Sequence, residues 1–361
     1  MTPAEHHATG DAGLDVGRLT AYLDTHRPDL FDGPLSVLLL AGGRSNLTYA
    51  VTDGARSLVL RRPPLAHVQA SAHDMGREYR VISALAGTAV PVPGTILLCS
   101  DTDVLGAPFY LMELSPGVAY RRRTDVQALG ADSLRRLVFE LVDTLVALHA
   151  VDPAAVGLAD LGKAAGFNAR QLRTWRRQLD GVRSRDLGGI DELAEQLALS
   201  VPEGDGGLVH GDYRLDNVLI DGPTGGERIT AVLDWEMSTL GDPLSDLALL
   251  LLYADQPLLV GDGGGLVAIS TVPGYPSADE VIARYAAGSG RDVANLQWYS
   301  AFAAFKLAVV LEGVHFRFQH GATLGTGFDG IADLVPPLVQ RGLRTLTARP
   351  STTPAATVQE P

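Results

Sequence analysis

One stretch in the second half of the chain carries residues whose types and spacing suit phosphate chemistry. His210, Gly211 and Asp212 follow an apolar pair, and Asn217 comes five residues after Asp212. A second apolar run then ends at Asp234. A carboxylate at the end of an apolar segment can accept a proton from a hydroxyl, and Asn and Asp oxygens are ligands that Mg²⁺ takes alongside phosphate oxygens. One Asp as base, with an Asn and an Asp on the metal, is the set that phosphoryl transfer needs.

The segments before this stretch are predicted to be mainly strands. Short apolar runs bounded by Gly, Pro and Asp indicate five strands, and a segment with apolar residues at helical spacing follows the third. Residues 30–113 are therefore expected to form a mostly antiparallel sheet with one inserted helix. The predicted strands are Leu35–Leu40, Thr48–Thr52, Ser57–Arg61, Thr95–Ser100 and Pro108–Glu113, and the predicted helix is His73–Ala86.

After Pro116 the pattern changes to helices. In the segment Ser133–Ala150 apolar residues recur every three or four positions, which is typical of an amphipathic helix. Further helices are predicted at Phe167–Leu179, Ile190–Leu199, Leu244–Tyr253, Ala278–Gly288, Val293–Phe318 and Ile331–Leu346. The polar stretch lies among them as a short β insert, so the predicted fold class is α+β.

Size and charge narrow the possible functions. The chain of 361 residues is long enough for two lobes with sizeable cores, and its net charge of −13 argues against a nucleic-acid partner. A single cysteine, Cys99, rules out a disulfide within the chain and suits a cytoplasmic location. We expect neither a signal peptide nor a membrane span, and we expect residues 1–13 and 348–361 to be disordered tails. No pattern indicates an oligomeric state.

The polar motifs also carry a resemblance. The motif H-G-D-x4-N, followed by L-D-W-E, resembles the catalytic and metal-binding loops of the aminoglycoside phosphotransferase and choline kinase superfamily, which are relatives of protein kinases that act on small molecules. The resemblance extends from about Leu35 to about Leu346. It implies a bilobal protein-kinase-like fold, with a small antiparallel-sheet N-lobe at residues 14–113 and a larger, mainly helical C-lobe at residues 114–347. The segments GREYRVISAL and HGDYRLDN look like the kinase-like proteins related to the N-terminal domains of certain acyl-CoA dehydrogenases.

The resemblance implies roles for the residues of the polar stretch. Asp212 matches the catalytic base, and Asn217 and Asp234 match the two metal ligands. Arg214 stands where protein kinases carry a Lys that touches the transferred phosphate. Asp246 resembles a buried Asp that anchors the catalytic loop from the following helix.

The N-lobe is expected to bind the nucleotide through Gly43, Ser45, Asn46, Arg61, Glu78 and Glu113. The first three lie in a glycine-rich loop over the phosphates. Arg61 falls where the family has a third-strand lysine, and Glu78 resembles the helix Glu that pairs with that cation. Arg in place of Lys is a departure, although Arg stays charged and can grip a phosphate with two N–H groups. The backbone around Glu113 resembles the hinge that would hydrogen-bond adenine.

Together these features predict a phosphotransferase that uses ATP and Mg²⁺ and acts on a hydroxyl of a small molecule, of hydroxyacyl or hydroxy-acid type rather than an aminoglycoside. The alternative is a non-catalytic, nucleotide-binding regulatory pseudokinase. The arginine at position 61, where the family has a lysine, favours this alternative. A metal-dependent hydrolase would explain the carboxylates but not the N-lobe. The run from Arg121 to Arg123 is either a solvated surface or a site for an anionic acceptor, and His149 is interpreted as a packed or capping residue.

Overall fold

The computed structural model describes residues 13–40, 46–64, 74–222, 225–256, 268–321 and 330–348. The structural statements below concern these residues. Gly43 and Ser45, as well as residues 1–12 and 349–361 of the two predicted tails, lie outside the described residues.

The first part of the chain contains an antiparallel sheet and two longer helices. The strands are β1 (Ser36–Leu39), β2 (Leu47–Thr52), β3 (Ser57–Arg62), β4 (Thr95–Cys99) and β5 (Phe109–Glu113), and the helices are α1 (Val16–His26), α2 (Met75–Leu85) and the short α3 (Thr102–Leu105). In the described residues the strand order is β1-β2-β3-β5-β4, and every neighbouring pair is antiparallel. The predicted sheet, with a helix after its third strand, is confirmed.

The two faces of this sheet are covered by different helices. Side chains alternate along a strand, so Leu58 and Leu60 of β3 point to one face while Val59 and Arg61 point to the other. Leu58 and Leu60 belong to a small core with the buried leucines of α1. Val59 belongs to the large core together with the apolar side of α2. Arg61 is therefore directed toward the face on which α2 and the second part of the chain lie.

The second part is largely helical, as predicted. Its helices are α4 (Arg123–Gln127), α5 (Ala131–His149), α6 (Phe167–Val182), α7 (Ile190–Leu199), α8 (Leu244–Asp255), α9 (Ala278–Ser289), α10 (Leu296–Gln319) and α11 (Val335–Thr347). Helix α10 packs against α6, α7, α8 and α11 and is buried on nearly all sides. Burial all round explains why its sequence is apolar without a single apolar stripe.

Two short two-stranded antiparallel sheets lie against these helices and present the loops that carry the polar motifs. Strand β6 (Gly207–Val209) pairs with β9 (Thr239–Gly241), and β7 (Val218–Asp221) pairs with β8 (Arg228–Val232). The first motif lies between β6 and β7, and the second between β8 and β9. The α+β class, with an antiparallel sheet first and a mainly helical part after it, is thus confirmed, while the division into lobes at residues 113 and 114 stays a prediction. Along the described ranges no helix is long and apolar enough to cross a membrane.

Candidate active site

The first polar loop is held by a buried carboxylate from α8. Asp246 accepts the backbone N–H of His210 at 2.6 Å on one oxygen and that of Gly211 at 2.8 Å on the other. Burial acts to raise the pKa of Asp246, but hydrogen bonding to His149 and to the His210 backbone outweighs burial and lowers that pKa below its ordinary value. The carboxylate is therefore charged and fixes two consecutive peptide groups directly before Asp212.

His149 at the end of α5 supports the same carboxylate. Its Nε2 lies 3.3 Å from Asp246 Oδ2, and its Nδ1 lies 2.7 Å from the Tyr285 hydroxyl. Burial lowers the pKa of His149 although the charge of Asp246 opposes the effect, so the ring is neutral at pH 7. A neutral ring that donates from Nε2 accepts the Tyr285 proton at Nδ1. The sequence interpretation of His149 as a packed residue agrees with this burial, but it missed the contact with Asp246.

The position of Gly211 has no room for a side chain and has a backbone conformation that favours glycine. Its φ of +86° lies in the left-handed region, and a Cβ at this position would lie 2.8 Å from the Met237 carbonyl oxygen. His210 joins the same two loops, because its Nε2 lies 2.9 Å from the Leu233 carbonyl oxygen while Nδ1 accepts the Asp212 N–H at 3.2 Å. The first two motif residues therefore lock the two polar loops against each other.

Asp212 and Asn217 lie together at the open end of this loop. Asn217 Nδ2 donates to the backbone carbonyl of Asp212 at 2.9 Å and to its Oδ2 at 3.0 Å. The Asp212 side chain remains 25% exposed, so a ligand can reach it. Arg214 Nη2 lies 2.8 Å from Asp216 and its Nε lies 3.6 Å from Asp212 Oδ2, while its guanidinium lies over the Tyr253 ring. Arg214 thus neutralises part of the charge of this acidic loop.

Asp234 and Glu78 meet the same cation, Arg61. Arg61 forms an ion pair with Asp234 through Nη2, and its Nε lies 3.1 Å from Glu78 Oε2 without hydrogen-bond geometry. Burial raises the pKa of Glu78 to about 7 against the opposing charge of Arg61. Burial acts to lower the pKa of Arg61, but the surrounding charges, led by Glu78, raise it above its ordinary value. The predicted pairing of Arg61 with Glu78 is present, and the structure adds Asp234 to it.

The remaining nucleotide-side residues are placed as follows. Asn46 is buried and its Nδ2 donates to Glu236 Oε2 at 2.9 Å, so it ties the start of β2 to the second polar loop. Glu113 has its N–H bound to the Gly94 carbonyl at 2.8 Å. An adenine contact at this position would therefore use another backbone group of the predicted hinge. Arg123 donates to the Ala268 carbonyl and to Thr271, which makes it part of the scaffold.

The side chains at the open end fit a magnesium ion that a nucleotide helps to hold. The amide nitrogen of Asn217 is occupied by Asp212, which leaves its side-chain oxygen for a metal. Asp234 has one oxygen on Arg61 and a side chain that is 28% exposed, and its φ of +67° is one that Asp tolerates. No group of three or more His, Cys, Asp and Glu among the described residues is arranged to hold a metal alone. Mg²⁺ commonly takes one or two carboxylates plus phosphate and water oxygens.

One charged residue beside the loop was not identified from the sequence. Lys306 of α10 donates from Nζ to the Gly211 carbonyl at 3.2 Å. The sequence signal that could have identified it is a lysine inside an otherwise apolar helix.

Comparison with known proteins gives a consistent assignment. The sequence profile of the phosphotransferase enzyme family (APH) matches residues 36–299. Acyl-CoA dehydrogenase family member 11 of Gallus gallus is 34% identical over 340 residues, which cover 91% of this chain and 43% of that protein. This chain therefore spans less than half the length of that relative. The predicted resemblance to kinase-like proteins related to acyl-CoA dehydrogenases is confirmed.

Solved structures agree on the fold. A crystal structure of a candidate aminoglycoside phosphotransferase from Ralstonia eutropha JMP134 superposes with a TM-score of 0.77 at 30% identity, covering 92% of this chain and 98% of that one. A thermostable mutant of aminoglycoside phosphotransferase APH(4)-Ia, in a ternary complex with ADP and hygromycin B, superposes with a TM-score of 0.58 at 16% identity, covering 91% and 97%. The second likeness concerns the fold alone.

Proposed function

This chain belongs to the phosphotransferase enzyme family, and from that premise we propose that it is a kinase that transfers the γ-phosphate of ATP to a hydroxyl of a small molecule. The observation that carries the proposal is the convergence of Asp212, Asn217 and Asp234 from two loops, with Arg61 and Glu78 on the facing side. These are the groups that phosphoryl transfer needs for positioning and for neutralising charge.

The proposed division of labour follows from the contacts. Asp212, partly exposed and oriented by Asn217, accepts the proton of the acceptor hydroxyl as the hydroxyl oxygen forms a bond to the γ-phosphorus. The bond from that phosphorus to the bridging oxygen of ADP breaks, and ADP leaves with the negative charge. Arg61 binds nucleotide phosphate, and Arg214 lies close enough to the loop to neutralise charge near the transferred group. Mg²⁺, held by Asn217 and Asp234, would supply further charge neutralisation on the phosphates.

We also propose that the sheet part binds the nucleotide and the helical part binds the acceptor. The APH(4)-Ia complex holds both ADP and hygromycin B, which supports nucleotide use in this fold. The similarity to acyl-CoA dehydrogenase family proteins over 91% of the chain favours a hydroxyacyl or hydroxy-acid acceptor over an aminoglycoside.

The test is ADP formation. The purified protein is incubated with ATP, Mg²⁺ and a library of hydroxy acids, hydroxyacyl-CoA thioesters, diols and aminoglycosides. We expect ADP release with at least one acceptor, at a rate well above the hydrolysis seen without acceptor. Absence of ADP across the whole library would contradict the proposal.

The competing function is a nucleotide-binding pseudokinase, and the observation that favours it is the engagement of Arg61 with both carboxylates. A thermal-shift titration with ATP separates the two. A kinase should be stabilised more by ATP with Mg²⁺ than by ATP alone, and Asn217→Ala should remove most of that difference. Stabilisation by ATP that is the same with and without Mg²⁺ would favour the pseudokinase.

A further inference from the structure

The apolar stretch of helix α10 from Ala301 to Val314 contains two charged residues, Lys306 and Glu312, and their surroundings differ. Glu312 is completely buried and fully paired: Ser184 donates to one oxygen at 3.2 Å, and Arg185 donates to the other from Nε at 3.1 Å and from Nη2 at 3.0 Å. Such a pair balances its charge within the protein. Glu312 therefore needs no ligand.

Lys306, six positions earlier, is paired differently. Its ammonium donates to the Gly211 carbonyl at 3.2 Å and lies 5.5 Å from the centroid of the Trp175 ring. No carboxylate of the described residues lies within ion-pair distance of it. Burial lowers the pKa of Lys306, while the more distant charges of Asp212 and Asp246 oppose that effect. An ammonium has three N–H donors, and in the described part of the chain only the Gly211 oxygen accepts from it.

The position of this ammonium relates it to the acceptor. Gly211 directly precedes Asp212, whose carboxylate is partly exposed, and Lys306 is itself only partly buried. Asp212 is near enough for its charge to act on Lys306, so we expect an acceptor whose hydroxyl donates to Asp212 to have other atoms within reach of the ammonium. Because a partly buried ammonium can make further charge-assisted hydrogen bonds besides the one to Gly211, an oxygen supplied by a ligand would be favoured there.

We propose that Lys306 is a specificity-determining residue of the acceptor site, where its ammonium binds a carbonyl or carboxylate oxygen that the acceptor carries close to its reacting hydroxyl. The inference rests on the proposed kinase function and goes beyond it by naming the group that is recognised and the residue that recognises it. The oxygen has two chemical sources, a free hydroxy acid or an acyl thioester.

Three acceptors that share the hydroxyl at C3 distinguish these cases: 3-hydroxybutyrate, its CoA thioester and 1,3-butanediol, in which a primary hydroxyl replaces the carboxylate or thioester carbonyl. Each is tested with wild type, Lys306→Met, Lys306→Arg and the control Arg317→Met. Arg317 is an exposed residue of the same helix, about 16 Å further along its axis, so the control removes the same charge at a distance from the site. Urea unfolding of all four proteins checks that the variants fold.

We expect Lys306→Met to raise KM for the acid or for the thioester by about 10- to 100-fold, as loss of a charged hydrogen bond predicts, with 1,3-butanediol affected less than threefold. Lys306→Arg should recover part of the loss, and Arg317→Met should behave as wild type. A response to the acid alone or to the thioester alone identifies the source. A fall in kcat that is equal for all three acceptors would mean that Lys306 only braces the loop, and it would overturn the inference.

A binding measurement makes the inference independent of turnover. Calorimetry measures the affinity of 3-hydroxybutyrate and of its CoA thioester for the full chain, in the presence of AMP-PNP and Mg²⁺. Binding to wild type that is lost in Lys306→Met supports the inference, and binding that is equal in both, or absent from both, overturns it. ADP formed from the diol with equal efficiency overturns the inference but leaves the kinase function standing, whereas no ADP from any member of the wider library overturns the kinase function.

Discussion

The carboxylate of Asp246 accepts the backbone N–H of His210 at 2.6 Å, across 36 positions of the chain. The same carboxylate also holds the Gly211 N–H, so the peptide groups before Asp212 depend on it. We expect Asp246→Ala to lower kcat at least 100-fold and to reduce the free energy of unfolding by about 3 kcal/mol, because two buried donors lose their acceptor. Asp246→Asn keeps one acceptor oxygen and should cost less. Steady-state kinetics and urea unfolding measure both effects, and an unchanged kcat in Asp246→Ala would contradict the anchoring role.

Gly211 and Gly54 form a matched pair for testing the close approach of the two polar loops. Both have positive φ, but a Cβ at Gly211 would lie 2.8 Å from the Met237 carbonyl oxygen, whereas nothing lies within 4 Å at Gly54. We expect Gly54→Ala to cost about 1 kcal/mol of stability through backbone strain alone. Gly211→Ala should cost about 3 kcal/mol and abolish most activity, since backbone must move. If urea unfolding gave the same loss of unfolding free energy for Gly211→Ala as for Gly54→Ala, the close approach of Met237 would not contribute to the effect.

Asp212 should be essential for turnover but not for nucleotide binding. Asp212→Asn removes the proton acceptor while keeping the shape of the side chain, so kcat should fall by about 10² to 10⁴-fold. The affinity for ATP, measured by calorimetry, should change less than threefold. Asp221→Asn, an exposed change on the neighbouring strand β7, serves as the control and should leave kcat unaltered. Retained turnover in Asp212→Asn would exclude Asp212 as the base.

Glu78 should make the stability of the fold depend on pH. Its pKa is raised to about 7 from an ordinary 4.5 by burial, so the folded state holds a proton that the unfolded state releases between these values. The resulting stabilisation is fully present below pH 4.5 and is lost as pH rises through about 7. Relative to Glu78→Gln, which cannot titrate, wild type should therefore lose on the order of 3 kcal/mol between pH 4.5 and pH 8. Urea unfolding of both proteins at several pH values measures the difference, and parallel curves would refute the raised pKa.

Local patterns were sufficient for the five strands of the sheet, for the longer helices and for the class of chemistry, but they did not indicate the short helices α3 and α4. Strand alternation placed Val59 and Arg61 on one face of β3, and the structure has them there, next to α2. The spacing of Asp212 and Asn217 marked one loop, and their side chains are in contact. The shared face of β3 and the contact of Asp212 with Asn217 each involve residues only a few positions apart, so the sequence alone can predict them.

Contacts between distant segments were decided only by the tertiary structure. The ion pair of Arg61 with Asp234 spans 173 positions and the Lys306 contact with Gly211 spans 95, and neither has a local signature. His149, the last residue of α5, lies on Asp246 in the first turn of α8, a relation that depends on the whole core. The period of a helix or strand, together with the spacing of residues along the chain, determines which residues share a face of that element. Which residues of different elements face each other depends on how those elements pack, and packing is a property of the complete chain.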